Sequence, residues 1–241
     1  MKHASLFGAF LLSAPLVASG AGEVRQEPVQ QSPASIQVRT LKSEEAPDEE
    51  VLKQLVGNET PGSSVQLVDY PEMSISDRIL VGLEAAGRVL TTAEGQAIAW
   101  GFKYKEANLQ SVVITDKTGR LELAAVVDDI LALTNGRSDT YSSVAEYEKR
   151  VKRDGLQPRV IVFVRDQASL VATYPLLKRW MQANLLGFNT SCEKHAVACA
   201  LMPAIGLPTD VYLASDGGGI PVKAAVPDLP AAPIPLEAFT Q

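Results

Sequence analysis

Arg159-Val160-Ile161-Val162-Phe163-Val164 is the stretch whose reading decides the fold class. Its apolar run is continuous rather than alternating, which suits a central strand buried on both faces. Ala168 to Leu186 follows it, with Leu170, Tyr174, Leu177, Met181 and Leu185 at helical spacing. That spacing predicts a long helix, which Pro175 would kink or divide. Val197–Met202 and Val211–Ala214 then read as strands. Asp216-Gly217-Gly218-Gly219 is turn chemistry leading into Ile220–Lys223, so the last two strands are expected to form a hairpin. Strand, helix and strand in this order predict an α/β domain, a mixed sheet flanked by helices.

Upstream the pattern turns helical. Ser76-Asp77 can cap a helix with Ile79, Leu80, Leu83, Ala86 and Leu90 on one stripe. Thr91-Thr92-Ala93-Glu94 has the capping-box pattern and predicts a second helix with Ala97, Ile98, Gly101 and Phe102 inward. Ser111–Thr115 is a short β-branched run, ended by turn residues Asp116-Lys117-Thr118-Gly119. Leu121–Leu133 returns to helical spacing and stops at Asn135-Gly136. Asp128 and Asp129 are then expected as solvated carboxylates, pointing about 100° apart on a helix. Ser143-Val144-Ala145-Glu146 opens another helix that ends at Gly155. Trp100 and Trp180 fall on predicted helix faces and read as core residues.

The two ends differ from this middle. Met1-Lys2-His3 gives a basic start, Ala4 through Ala18 an apolar run, and Ala18-Ser19-Gly20-Ala21 small residues suited to cleavage after Gly20 or Ala21. Residues 1–21 thus read as an export signal, too short to span a bilayer. Residues 22–64 are rich in Gln, Ser, Pro and Glu, with too few apolar side chains to offset the entropy of ordering. They are expected to form a flexible, disordered acidic linker, with a transient helix at Glu49–Val56 whose Val51, Leu52, Leu55 and Val56 share a face. The globular domain is placed at 65–225, and 226–241 (Pro227, Pro230, Pro233, Pro235) as an extended Pro-rich tail.

Composition excludes some classes of function. The formal charge is −6, and no basic patch has the density that nucleic-acid binding demands. Lys149-Arg150-Lys152-Arg153 lies among Glu146, Glu148 and Asp154 at helical spacings and reads as a solvated face. No further apolar stretch is long enough to cross a membrane, so membrane association would come only through partners.

The two cysteines, Cys192 and Cys199, are expected to pair as one structural disulfide in an oxidising compartment. Their spacing is wrong for a redox CxxC, and with His195 they fall one ligand short of a structural zinc site. No cofactor and no metal are expected. Asn58-Glu59-Thr60 and Asn189-Thr190-Ser191 fit the glycosylation sequon, which matters only in a host that glycosylates exported chains.

Leu207-Pro208-Thr209-Asp210-Val211-Tyr212-Leu213 and Asp216-Gly217-Gly218-Gly219-Ile220 resemble the C-terminal part of a thioredoxin-like domain. The resemblance puts Pro208 at that family's cis-proline position. The family's redox pair would fall at Arg165-Asp166-Gln167-Ala168-Ser169, where this chain has no cysteine. The likeness therefore implies a scaffold without the redox activity, with Pro208 either a relic or one wall of a binding groove formed with Thr209, Arg165 and Asp166. Degenerate domains of this kind occur in envelope secretion and conjugative-transfer machineries.

The resulting expectation is an exported protein, periplasmic or secreted, that serves without catalysis as an interaction or assembly component with envelope proteins as partners. Two alternatives stand beside it. One is a periplasmic thiol-disulfide enzyme or chaperone using Cys192 and Cys199, with His195 tuning a thiol. The other is a small-ligand-binding protein with a cleft beside Pro208.

Overall fold

The stretch 159–164 is a strand hydrogen-bonded on both sides, and from Val160 to Val164 neither of its faces sees solvent. The computed structural model describes residues 36–42, 45–57, 65, 67–129, 144–184 and 208–239 of the 241-residue chain. In chain order these give β1 (Gln37–Thr40), α1 (Glu49–Val56), α2 (Ile75–Val81), β2 (Ala85–Thr91), β3 (Ala97–Lys103), β4 (Glu106–Thr115) and β5 (Leu121–Asp128). There follow α3 (Val144–Arg153), β6 (Arg159–Val164), α4 (Gln167–Asn184), β7 (Thr209–Leu213) and β8 (Val222–Ala224).

The strands form one sheet in the order β1 through β8. Every neighbouring pair is antiparallel except β6 and β7, which run parallel around α4. The sheet is mixed, as the sequence predicts, and the β7–β8 hairpin is present. The chain passes α1 and α2 over one face of the sheet and α4 over the other, which makes three layers.

The two faces explain the strand sequences. On one side Leu123, Ala125 and Val127 of β5 and Val160, Val162 and Val164 of β6 pack beneath Leu170, Tyr174, Leu177 and Trp180 of α4. On the other, Ala124 and Val126 with Ile161 and Phe163 pack beneath Leu52, Leu55 and Val56 of α1 and Ile75 and Ile79 of α2. All eight residues of β5 are buried. A strand covered on both faces has no polar alternation to show. For that reason 121–133 reads as helical in the sequence, while its described part, 121–129, is β5 as far as Asp128.

The same correction applies to Ala97–Lys103, expected as a helix and found as β3, and to Ala85–Thr91, expected as the end of a helix and found as β2. A helix does begin here, but Ser74 rather than Ser76-Asp77 caps it, and it stops at Gly82. An ideal Cβ on Gly82 would lie 2.0 Å from Ser111 Oγ. Glycine there lets the helix end pass directly over β4, and the chain then turns into the sheet.

Residues expected as a linker enter the fold. Gln37–Thr40 pairs with β2, and α1 buries Leu52 completely. Asp48 caps α1 through the Glu50 N–H at 2.8 Å. Gly57 ends it at φ +82°, where a Cβ would meet Gly219 O at 2.3 Å. The amphipathic stripe is thus a docked helix rather than a transient one. Leu52, Leu55 and Val56 land on the sheet while Val51 stays exposed, and those three anchors are how a polar segment becomes ordered.

The C-terminal segment has no regular secondary structure from 225 to 235, bends at Pro233, then closes in a 3₁₀ turn at Leu236–Phe239. It does not project. Ala232 N–H donates to Pro175 O at 2.9 Å, Lys178 Nζ to Leu229 O at 2.8 Å, and Arg179 Nε to Ile234 O. Ile234, Leu236 and Phe239 are buried, and the Phe239 ring lies 5.5 Å from that of Trp100. α4 runs continuously through Pro175.

Among the described residues no helix is long and apolar enough to cross a membrane. The expected strand Val197–Met202, Cys192, Cys199, His195 and both sequons lie outside the described residues. Phe239→Ala should cost about 3–5 kcal/mol of stability, the usual loss for a buried aromatic. A urea or thermal unfolding curve checks this; a free tail would give no change.

Candidate functional site

α1 covers only part of its face. Its buried residues sit over β5 and β6, while toward β2, β3 and β4 the cleft is floored by Val89, Ala97, Ala99 and Val113, of which Ala97 is half-buried and the others nearly closed off. Two alanines at successive inward positions of β3 leave space that larger side chains would fill. Ile98 and Trp100, between and beyond them, point to the α4 side. The result is a cleft of 660 Å³ bounded by the sheet, by α1 (Val51, Gln54) and by the 45–48 loop. That volume lies in the range of roughly 300–1,000 Å³ typical of ligand sites.

The cleft lies at the end of the sheet where β2, β4 and β6 finish and β3 and β5 begin. It crosses the strands, from Arg39 and Leu41 beside β2 to Leu121 and Arg165 at β5 and β6. From β1 to β6 five strand spacings of about 4.8 Å give a span of roughly 24 Å.

Its charged rim has two clusters. At the β1 end Arg39 pairs with Glu45 at 2.5 Å, and this hydrogen bond, with that from the Lys42 N–H, holds the Glu45 carboxyl below its ordinary pKa. At the other end stand Arg120 and Arg165. Arg120 Nε is 2.6 Å from the buried Glu122 carboxylate and 3.5 Å from Asp116; Arg165 Nη2 donates to Leu121 O at 2.5 Å. Glu122 also accepts from the Ser169 hydroxyl. Asp116 is turned into its own loop, accepting from Thr118 Oγ1, Thr118 N and Arg120 N. Chiefly the Thr118 hydroxyl lowers the Asp116 pKa. Guanidinium groups therefore line this end of the cleft, while of the carboxylates that balance them Glu122 is buried and Asp116 is taken up by its own turn.

The residues expected as one groove are not brought together. Thr209 pairs with Val160 at the start of β6, whereas Arg165 and Asp166 follow its end, five residues on. At about 3.3 Å per residue they lie roughly 16 Å apart along the sheet. Pro208 spends its carbonyl on Val160 N–H at 2.9 Å, and Thr209 bonds to the buried Tyr174 phenol of α4. Arg165 lines the α1-side cleft. Asp166 caps α4 through the Ser169 N–H at 2.7 Å, and chiefly that bond lowers its pKa.

A second polar cluster stands at the opposite end of the sheet. Asp128 is fully buried; it accepts from Val68 N at 3.0 Å, Asp69 N at 2.9 Å and Arg159 Nη2 at 2.8 Å. The expectation of a solvated Asp128 is corrected here, because β5 carries it inward. Arg78 is also fully buried. Its Nη2 donates to Val127 O at 2.9 Å, and its Nε and Nη1 have no partner among the described residues. Burial lowers the Arg78 pKa and raises that of Asp69. These groups bind the 67–70 segment to β5 and β6, which is structural work. Among the described residues no group of carboxylates, histidines or cysteines could hold a metal ion.

The cleft was not foreseen from the sequence. Its available signal was the two-residue spacing of small Ala97 and Ala99 against large Ile98 and Trp100, which the adjacent capping-box pattern masks.

Two outcomes follow. Asp128→Ala should cost about 3–5 kcal/mol by removing the buried half of the ion pair with Arg159 and the acceptor of two backbone donors, read by denaturant unfolding. Asp166→Ala should cost about 1 kcal/mol at pH 7, the usual loss of an N-cap. Because folding lowers the Asp166 pKa, its ionised form contributes stability above the unfolded-state pKa. That part fades as pH falls through the folded-state pKa, so the two unfolding curves should converge in acid.

No family model, no curated protein and no solved structure matches this chain.

Proposed function

We propose that this protein is an exported, non-catalytic interaction or assembly component of a cell-envelope complex, in the manner of secretion or conjugative-transfer machineries. One observation carries the reading: the open cleft between α1 and the sheet, with an apolar floor and a charged rim. Apolar surface left at the centre of a polar ring is the arrangement of a binding face. The polar groups beside it favour holding over turnover. The Ser169 hydroxyl is buried and bonded to Glu122, Asp166 is committed to the α4 cap, and the Glu122 carboxylate is ion-paired. The basic start and apolar run of residues 1–18 supply the argument for export.

The distant likeness to thioredoxin-like domains at Leu207–Ile220 is kept as part of this proposal, on the residues already quoted. The cysteines belong to it as a structural disulfide.

The test is fractionation of cells expressing the full chain with a C-terminal tag, followed by cross-linking from a photoreactive residue at Val51. The expected result is recovery outside the cytoplasm and a discrete cross-linked species with an envelope protein. Recovery solely inside the cell, with no cross-linked species at any cross-linker position, would overturn the reading.

A further inference from the structure

We propose that the α1-side cleft captures the C-terminus of an extended, apolar peptide, its terminal carboxylate held by Arg120 and Arg165. The inference rests on the binding role given above and names the chemistry of the occupant.

Three observations point to this occupant. The first is shape. The cleft crosses the strands over roughly 24 Å by strand spacing, room for six or seven extended residues at about 3.3 Å each. A floor that contains Ala97, Ala99 and Val113 offers shallow apolar contact along that length rather than one deep pocket.

The second is charge. Arg120 and Arg165 line one end, whereas Glu122 and Asp116, their balancing carboxylates, do not line it. Glu122 is buried and engaged by Ser169, and Asp116 is engaged by Thr118 and by the Arg120 N–H. Arg165 turns its Nε and Nη2 to Leu121 O and Arg120 its Nε to Glu122, so a ligand at this end meets the remaining Nη groups, for which a carboxylate is the matching partner. At the other end Glu45 and Asp48 already serve Arg39 and the α1 N-terminus.

The third is the wall. Val51 of α1, which lines the cleft, is 38% exposed, and Gln54 beside it offers an amide to a passing backbone. An apolar side chain next to an amide group fits a peptide, which presents both kinds of surface in alternation.

The experiment uses the full mature chain and an array of hexapeptides of Ala, Val, Leu and Ile, each displayed with a free C-terminal carboxylate and as the matching amide. Sodium decanoate is the control probe, and fluorescence anisotropy gives affinities. The expected result is binding of free-acid peptides, weakened about tenfold or more by amidation, the loss of one charge-assisted contact. Arg120→Gln should produce a similar loss for the free acid and none for the amide. Val51→Trp, at an exposed position that does not endanger folding, should block both.

Equal binding of acids and amides would overturn the proposal. So would binding of decanoate without any peptide, binding undiminished in Val51→Trp, or no binding by the wild-type chain. If Arg120→Gln does not fold, the Val51→Trp and amidation results decide. A chain that cross-links to an envelope protein yet binds no peptide keeps the interaction role and loses this one.

Discussion

Burial of the central strands on both faces is the constraint on which this structure depends. β5 and β6 together place Leu123 to Val127 and Val160 to Val164 out of reach of water. Such strands are stable only if each face receives its own cover, since every exposed apolar face would cost roughly 25 cal/mol per Å². α4 covers one face, aided by Ile234, Leu236 and Phe239 from the C-terminal segment. α1 and α2 cover the other. Segments far apart in the chain, one rich in Glu and Gln and one rich in Pro, are thus drawn into one fold by a shared sheet.

The cleft is a consequence of the same arrangement. An eight-residue helix is about 12 Å long, too short to cover an eight-stranded sheet. What it leaves open is floored by small side chains, so the apolar surface is shallow. The charged groups around it are positioned by backbone features: the Asp116 turn sets Arg120, and the end of β6 sets Arg165. The buried Glu122 joins these two elements, so the rim is tied to the core rather than carried on loops alone.

Much of the second half was legible in the sequence. Arg159–Val164, the long helix after it, the helix before Gly155 and the β7–β8 hairpin all have strong local signals: a β-branched run, helical apolar spacing, a capping box and a glycine turn. The first half was less legible. Ala97-Ile98-Ala99-Trp100 and Leu121–Asp128 are apolar at nearly every position, and short runs of that kind fit helix and strand equally. Their neighbours in the sheet decide between the two, and those lie along the chain beyond any local window. The expected Pro208–Arg165 groove failed for a related reason: the parallel register of β6 and β7 sets these residues at opposite ends.

The sequence by itself determined the α/β class, the mixed sheet, the crossover helix and the apolar stripe of Glu49–Val56, because these follow from local periodicity and turn chemistry. Only the tertiary structure decided that this stripe docks, that the proline-bearing C-terminal segment closes over α4, and that Arg39, Arg120 and Arg165 share one cleft. Pairing partners and facing layers are long-range choices, fixed by which apolar surfaces meet, and no single stretch of chain contains that information.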